Sequence, residues 1–466
     1  MRATTALATS ALRDDERVRR GARARELAAG LSRAGVDAVA LTFVDNAGIA
    51  RVKTVPLTGL EHAAAWGAGM SPVFDWFLVD DSIAPAGSPV GDLRLVPALD
   101  RLTALAGQPG WAWAPVDRYT QDGEPYPVCQ RLFARRMAER AGEAGLEVRM
   151  GFEVEWAVGM AVPDGGFVPA CQGPAYGMGR LVELSDYARA VHVALAAQGL
   201  PVLQVHPEYA AGQFEVSVAP ADPVGAADIA VLVRETVRAV TIGHDLRPSF
   251  APVVVAGTVG NGGHVHIGLR RDGANLLAAG DGRYGLTVEG ESFLAGVLAE
   301  LPALVAVCAP TPASHLRLIP SHWAGAFACW GRENREAALR LVTGSAGERD
   351  RAANVEVKCV DHSANPYLVA GAVLAAGLAT VDKGIRLPEE ATGDPALGPD
   401  QAAGGGVHRL PETVSDALGQ LDRSDALRQA LGEPLYDAFV DTRRAEAALF
   451  AESTPDEIVA ATRWRY

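Results

Sequence analysis

Six side chains in this 466-residue sequence have the types and grouping to hold divalent cations, and they fall in four short segments. In Gly151-Phe-Glu-Val-Glu-Trp156 two acids alternate with Phe152, Val154 and Trp156. Side chains of a strand alternate between its faces, so Glu153 and Glu155 share one face and the apolar residues take the other. Adjacent carboxylates repel unless a cation lies between them, and the competing reading is a wet acidic face. Pro207-Glu-Tyr-Ala-Ala-Gly-Gln-Phe-Glu-Val-Ser217 carries Glu208 and Glu215 on either side of an Ala-Gly turn. As a hairpin it returns both to one end of a sheet; otherwise they are solvated turn acids. In Gly260-Asn-Gly-Gly-His-Val-His-Ile267, glycines feed a strand with His264 and His266 on one face, as ligands or as core histidines. Asn354-Val-Glu-Val-Lys358 aligns Asn354, Glu356 and Lys358 in the same way.

Five carboxylates (Glu153, Glu155, Glu208, Glu215, Glu356) and one imidazole (His264) suit oxygen-preferring Mg²⁺ or Mn²⁺ better than zinc. That is enough for two ions, which points to phosphoryl chemistry. Arg317, Arg332, Arg335 and Arg340 cluster downstream, and a planar guanidinium grips phosphate or carboxylate with two bonds. A solvated helix face paired to Glu333 and Glu336 is the plainer account of that cluster.

These segments need a sheet with one open polar face, helices behind it, and a large enclosing domain. Leu146–Val158 reads as the strand holding Glu153, after a helix over Cys129–Ala144 stopped by Gly145. Further helices are expected over Asp14–Ala34, Ser185–Gln198, Asp222–Leu246, Ser292–Ala309 and Pro366–Lys383. Val36–Val44 and Ile49–Val55 flank Asp45-Asn-Ala-Gly48, a hairpin signal. Residues 1–13 look loose, 69–97 form a long Gly/Pro-rich stretch read as functional and ending in a strand over Asp92–Val96, and 402–407 is a glycine-rich loop. Trp111–Val116 is a strand, and the domain boundary is placed there: 1–115, then 116–466.

Net charge is −14, which disfavours nucleic acid and anionic membranes as partners. The five scattered cysteines fit reduced thiols in the cytoplasm, and neither a secretory leader nor an apolar run long enough to span a bilayer is evident.

Taken in order, FEVEW, HPEYAAGQFEV, GNGGHVHIGL, RLIP…GRENREAALR and NVEVK…NPYL resemble the glutamine synthetase superfamily. The resemblance is weak over residues 36–100 and strong over 120–385. It implies an α+β fold: an N-terminal β-grasp domain, then a catalytic α/β domain with an open antiparallel sheet. It also implies dodecamers of two hexameric rings with active sites between neighbours, and ATP-driven conversion of glutamate to γ-glutamyl phosphate for attack by an amine. By motif, Glu155, Glu208 and Glu215 resemble ligands of one metal, and Glu153, His264 and Glu356 those of the second. His266, Gly268, Arg335 and Arg340 fall at ATP, Gly260, Arg317, Arg335 and Lys358 at the glutamate, and Arg335 and Glu356 in catalytic positions.

Departures from the family pattern fall on the amine side. Trp323 stands where glutamine synthetases carry a flap glutamate, and Ser71 where they carry an ammonium-site aspartate. Losing both acids weakens a site for bare ammonium, whereas an indole offers a cation–π face worth about 0.5–2 kcal/mol. The expectation is a γ-glutamyl-amine ligase for ethanolamine, a polyamine or another monoamine, with His322, Asp75, Asp80 and Asp81 as candidate bases. Lys358 and Asn354 replace family arginines near the acid substrate, leaving glutamate itself open. The Gly406–Pro411 segment lacks the family's modified tyrosine, so no such regulation is expected. Alternatives are an ordinary glutamine synthetase, a guanidino kinase, or a non-catalytic regulatory or structural relative.

Overall fold

The computed structural model describes residues 11–162, 165–397 and 407–466. Most of the loose start and of the glycine-rich loop expected at 402–407 lies outside the described residues.

Among the described residues two sheets organise the chain. The first contains β1 (Ala38–Val44), β2 (Ala50–Pro56), β3 (Ala68–Met70), β4 (Leu93–Pro97), β5 (Thr103–Ala104) and β6 (Trp111–Thr120). Their order is β2-β1-β6-β4-β3, with β5 beside β6. The helices Asp14–Arg33 and Leu60–Trp66 cover it through Ala24, Leu60, Ala63 and Ala64, packed on Val39, Leu41 and Leu95. β1 and β2 form the expected hairpin, Ala38 opposite Pro56 and Val44 opposite Ala50. Gly48 turns it at φ 79°, and a Cβ there would lie 1.9 Å from the Ser363 carbonyl oxygen. Asn365 Nδ2 donates to the carbonyls of Val44 and Asp45, so the turn is tied to the segment that follows Glu356.

β6 runs four residues beyond the apolar pattern that marked it, through Asp117-Arg-Tyr-Thr120. The extension is buried because Arg131 pairs with Asp117 at 2.6 Å and Arg118 with Asp75 at 2.8 Å. Ion pairing let charged residues occupy core positions, which hydropathy could not reveal. The stretch 69–97 ends in the expected strand, β4, and before it holds β3 and a 3₁₀ turn at Pro72–Trp76 rather than one long loop.

The second sheet contains β7 (Glu147–Met160), β8 (Val202–Pro207), β9 (Gln213–Val218), β10 (Leu246–Ser249) and β11 (Val265–Arg271), then β12 (Ala274–Asn275), β13 (Phe327–Arg332), β14 (Ala337–Val342) and β15 (Asn354–Val357). The order is β13-β14-β15-β11-β7-β9-β8, with β10 beside β7 and β12 beside β11. Its pairs are antiparallel except β13–β14, which run parallel and are joined by Glu333–Glu336. The fold is therefore α+β, and its large sheet is mixed at that edge.

Helices Gln130–Glu143, Pro223–Gly243, Val288–Cys308 and Pro366–Leu378 build the core behind this sheet with Phe152, Val154 and Trp156. Val288–Cys308 is long and apolar enough to cross a membrane by composition, correcting the expectation that no such run exists. It is a core helix here, with 78% of its apolar window buried. Its start was misplaced because the cap is Thr287, whose hydroxyl accepts from Gly290 N, rather than Ser292.

Candidate active site

Strand register places the acids opposite one another on the sheet's open face. Glu155 on β7 faces Glu215 on β9, which faces His206 on β8. Glu356 on β15 faces His266 on β11 and Arg340 on β14. Directly opposed side chains on one face are near neighbours, so each row is a ready-made cluster. Glu208 follows β8 and closes the first row, held by the Tyr176 hydroxyl at 2.8 Å and Tyr209 N at 3.0 Å. His206 lies 3.5 Å from both Glu208 and Glu215.

Glu153 links the second row. Its carboxylate oxygens lie 2.9 Å from His264 Nδ1 and 3.1 Å from His266 Nε2. His264 Nδ1 is also 3.3 Å from Glu356, whose carboxylate takes bonds from Arg340 at 2.9 Å and Lys358 at 3.1 Å. Asn354 Oδ1 holds His266 Nδ1 at 2.8 Å and so orients that ring. Ligand atoms of Glu153, His266 and Glu356 lie within 4.8 Å of one another, as do those of His206, Glu208 and Glu215. The geometry thus adds His266 to the second cluster and His206 to the first; the resemblance had put His266 at ATP.

The two clusters differ in charge. Burial, then Glu215 and Glu208, push Glu155 up to about 8, and burial also raises Glu208. His206 is raised to about 9 chiefly by Glu215. In the other cluster burial opposes ionisation of Glu153, yet bonds from His264 and His266 hold it well below the usual carboxylate range. Burial likewise acts on Glu356, but Lys358 and the two histidines bring it down to about 2. The first cluster is short of positive charge, and a divalent cation with oxygen ligands fits that deficit. The second is already partly neutralised by its own cations.

Above the clusters lies a cavity of about 660 Å³ lined by Glu153, Glu155, Glu208, Glu215, His264, Glu356, Gly260, Arg317, Arg335, Arg340, Lys358, His322 and Trp323, among others. Gly260 has no room for a side chain, since a Cβ would lie 2.0 Å from the Pro252 carbonyl oxygen and 2.9 Å from Arg317 Cγ. Arg317 is buried, donates to the Lys358 and Val360 carbonyls, and points Nε, which has no hydrogen-bond partner among the described residues, toward Asp361 at 4.0 Å. Arg335 is exposed on the β13–β14 link and reaches the same space, while Arg332 lies over Tyr284, away from it. A second cavity of about 450 Å³, mostly apolar, opens beyond Glu153 and His266 and is lined by Gly151, Phe152, Gly268 and Arg351.

Trp323 stands at the mouth, 41% exposed, its ring 4.8 Å from that of Tyr209. Ser321 and Trp323 both adopt the left-handed backbone, at φ 59° and 55°. Such conformations cost non-glycine residues about 1–2 kcal/mol each and need local support. Glu336 supplies it by accepting Trp323 N at 2.7 Å, while its other oxygen is buried without a partner among the described residues. Of the four candidate bases, His322 lines the cavity. Asp75 is buried against Arg118, Asp81 pairs with Arg51 and Arg465, and Asp80 bonds Ser82. Ser71 caps the 3₁₀ turn through Val73 N and does not line this cavity within the chain.

His206, Gln213, Tyr176 and Glu336 escaped the reading of the sequence. Gln213 bridges Glu155 at 2.9 Å and the Gly260 carbonyl at 3.0 Å. His206 was discoverable, two residues before Glu208 and so on its face if the strand ran on; Glu336 sits in a link read as one helical face, which hid it.

Acids and imidazoles for divalent ions, arginines above them and an adjoining apolar cavity are the parts of an enzyme that handles phosphorylated groups. Residues 127–460 match the family described as glutamine synthetase, catalytic domain, and the chain belongs to the glutamine synthetase family. Over 450 residues it is 58% identical to the gamma-glutamylpolyamine synthetase GlnA3 of Streptomyces coelicolor, covering 95% of this chain and 97% of that protein. It is 30% identical to a glutamine synthetase of Halobacterium salinarum, over 91% of this chain and 92% of the other. A solved glutamine synthase homolog superposes with a TM-score of 0.82 at 34% identity, covering 92% and 99% of the two chains. A GmaS complex with ADP does so at 0.81 and 27%, covering 92% and 97%. The protein is a ligase of this family.

Proposed function

We propose that the protein joins the γ-carboxyl group of glutamate to a primary amino group of an organic amine, a polyamine foremost, using ATP and passing through γ-glutamyl phosphate. The observation that carries this reading is the mouth of the cavity, where Trp323 and Tyr209 form an aromatic threshold beside His322. Similarity to the gamma-glutamylpolyamine synthetase supports a polyamine over ammonium.

In this reading Arg317 and the backbone at Gly260 hold the glutamate, with Lys358 beside it. The apolar cavity past His266 and Gly268 takes the base of ATP, so its phosphates lie toward Arg335 and Arg340. Glu155, Glu208 and Glu215 with His206, and Glu153, His264, His266 and Glu356, are the groups that would hold Mg²⁺ or Mn²⁺. Bound there, such ions would neutralise charge on phosphate oxygens. The glutamate γ-carboxylate attacks the γ-phosphorus and ADP leaves; the amine attacks the acyl carbon and phosphate leaves. Arg335 and Arg340 offset charge on the transferring phosphoryl group, a contribution of about 3–4 kcal/mol per well-placed donor. His322 is the cavity-lining base assigned to the amine proton. We further propose a cytoplasmic homo-oligomer of two hexameric rings, in which Ser71 serves a neighbour's cavity.

ADP release with glutamate and Mg²⁺ tests this against ammonium, ethanolamine, putrescine and spermine. At least one organic amine should exceed ammonium tenfold in kcat/KM, and Trp323→Glu should raise the ammonium rate. Equal turnover of ammonium and every amine would overturn the reading.

A further inference from the structure

A third cavity, of about 400 Å³, adjoins the active cavity and shares Tyr209, Val259 and His322 with it. Its remaining walls include Phe167, Pro169, Ala211, Val255 and Thr258. Among the described residues no Asp, Glu, Lys or Arg lines it. The space therefore lies on the amine side of the Tyr209–Trp323 pair and offers hydrocarbon and ring surface rather than counter-charges.

We infer that this cavity is the tail subsite for the amine, taking the unbranched methylene chain next to the attacking nitrogen; this rests on the ligase reading above. The nucleophilic nitrogen sits at the threshold, where two ring faces favour a cation before deprotonation. The chain then runs along Phe167, Val255 and Thr258, and any second amino group lies beyond them. The preferred substrate class is a primary amine with several consecutive methylenes, aminobutyl and aminopentyl ends above aminoethyl ones. Each methylene removed from water contributes about a fourfold gain in binding. Because no Asp, Glu, Lys or Arg lines the walls among the described residues, n-butylamine should follow the same trend as putrescine.

The test compares kcat/KM for methylamine, ethylamine, n-butylamine, putrescine and cadaverine in the full-length protein with glutamate, ATP and Mg²⁺. In the wild type, kcat/KM should climb about two- to fourfold per methylene up to four carbons. Thr258→Phe fills the cavity from a partly exposed loop, and Val255→Trp does so from a position already 40% exposed. Either variant should flatten the chain-length trend while leaving methylamine turnover and the KM for ATP within twofold. Rates independent of chain length in a wild type that ligates amines would overturn the tail subsite and leave the ligase reading standing. So would variants that slow methylamine and n-butylamine equally. ADP release with no amine of any length would overturn both.

Discussion

Magnesium binding near neutral pH should expel protons, and the first cluster sets how many. Glu155 is pushed up to about 8 by burial, Glu215 and Glu208, so about nine in ten molecules hold that proton at pH 7. His206, at about 9, holds another beside Glu208 and Glu215. A divalent ion among these groups favours the carboxylates ionised and His206 neutral, displacing about one to two protons at pH 7. Proton and metal then compete, and below pH 8 affinity falls about tenfold per pH unit for each proton exchanged, about ten- to a hundredfold for one to two protons. Calorimetric titration with Mg²⁺ in buffers of different ionisation enthalpy reads the proton number as a slope. The slope should be at least one at pH 7 and decline above pH 9. A zero slope at pH 7, or affinity flat from pH 6 to 8, would refute the cluster as the ion's site. The folded value of Glu155 lies above its ordinary 4.5, so its contribution to stability is full below that pH and lost as pH rises through about 8. Ionising it in the metal-free fold costs on the order of 5 kcal/mol, so Mg²⁺ should raise Tm more at pH 8.5 than at pH 6.

Arg335→Ala removes an exposed side chain that reaches the cavity, so Tm should stay put while kcat falls about 10²- to 10³-fold. Steady-state kinetics beside thermal melts check this, and equal loss of both would contradict it. Gly48→Ala forces a Cβ against the Ser363 carbonyl oxygen at positive φ, and should cost more than about 3 kcal/mol in urea unfolding.

The ligand face was legible because a strand's two-residue period needs no tertiary knowledge. Once Glu153 and Glu155 were on one face, antiparallel register did the rest, setting Glu155 against Glu215 and Glu356 against His266. The metal grouping of His266 was not legible, because His264 and His266 project from the same face and distances alone show that both meet Glu153. Arg332 and Arg335 look alike in sequence, yet the turn between β13 and β14 sends only Arg335 to the cavity. Asp75 looked free to act as a base, and a buried pair with Arg118 is invisible without the fold. Glu336 shows the same limit from the other direction. Read as a solvated helical acid, it lies under Trp323 and fixes a left-handed backbone.

In the proposed reaction glutamate is activated as an acyl phosphate before an organic amine displaces the phosphate. Glutamate labelled with ¹⁸O in its γ-carboxyl group, incubated with ATP, Mg²⁺ and putrescine, tests it by mass spectrometry. One ¹⁸O should appear in each phosphate released and one should remain in each γ-glutamyl amide, formed only when the amine is present. Unlabelled phosphate alongside amide formation would contradict it.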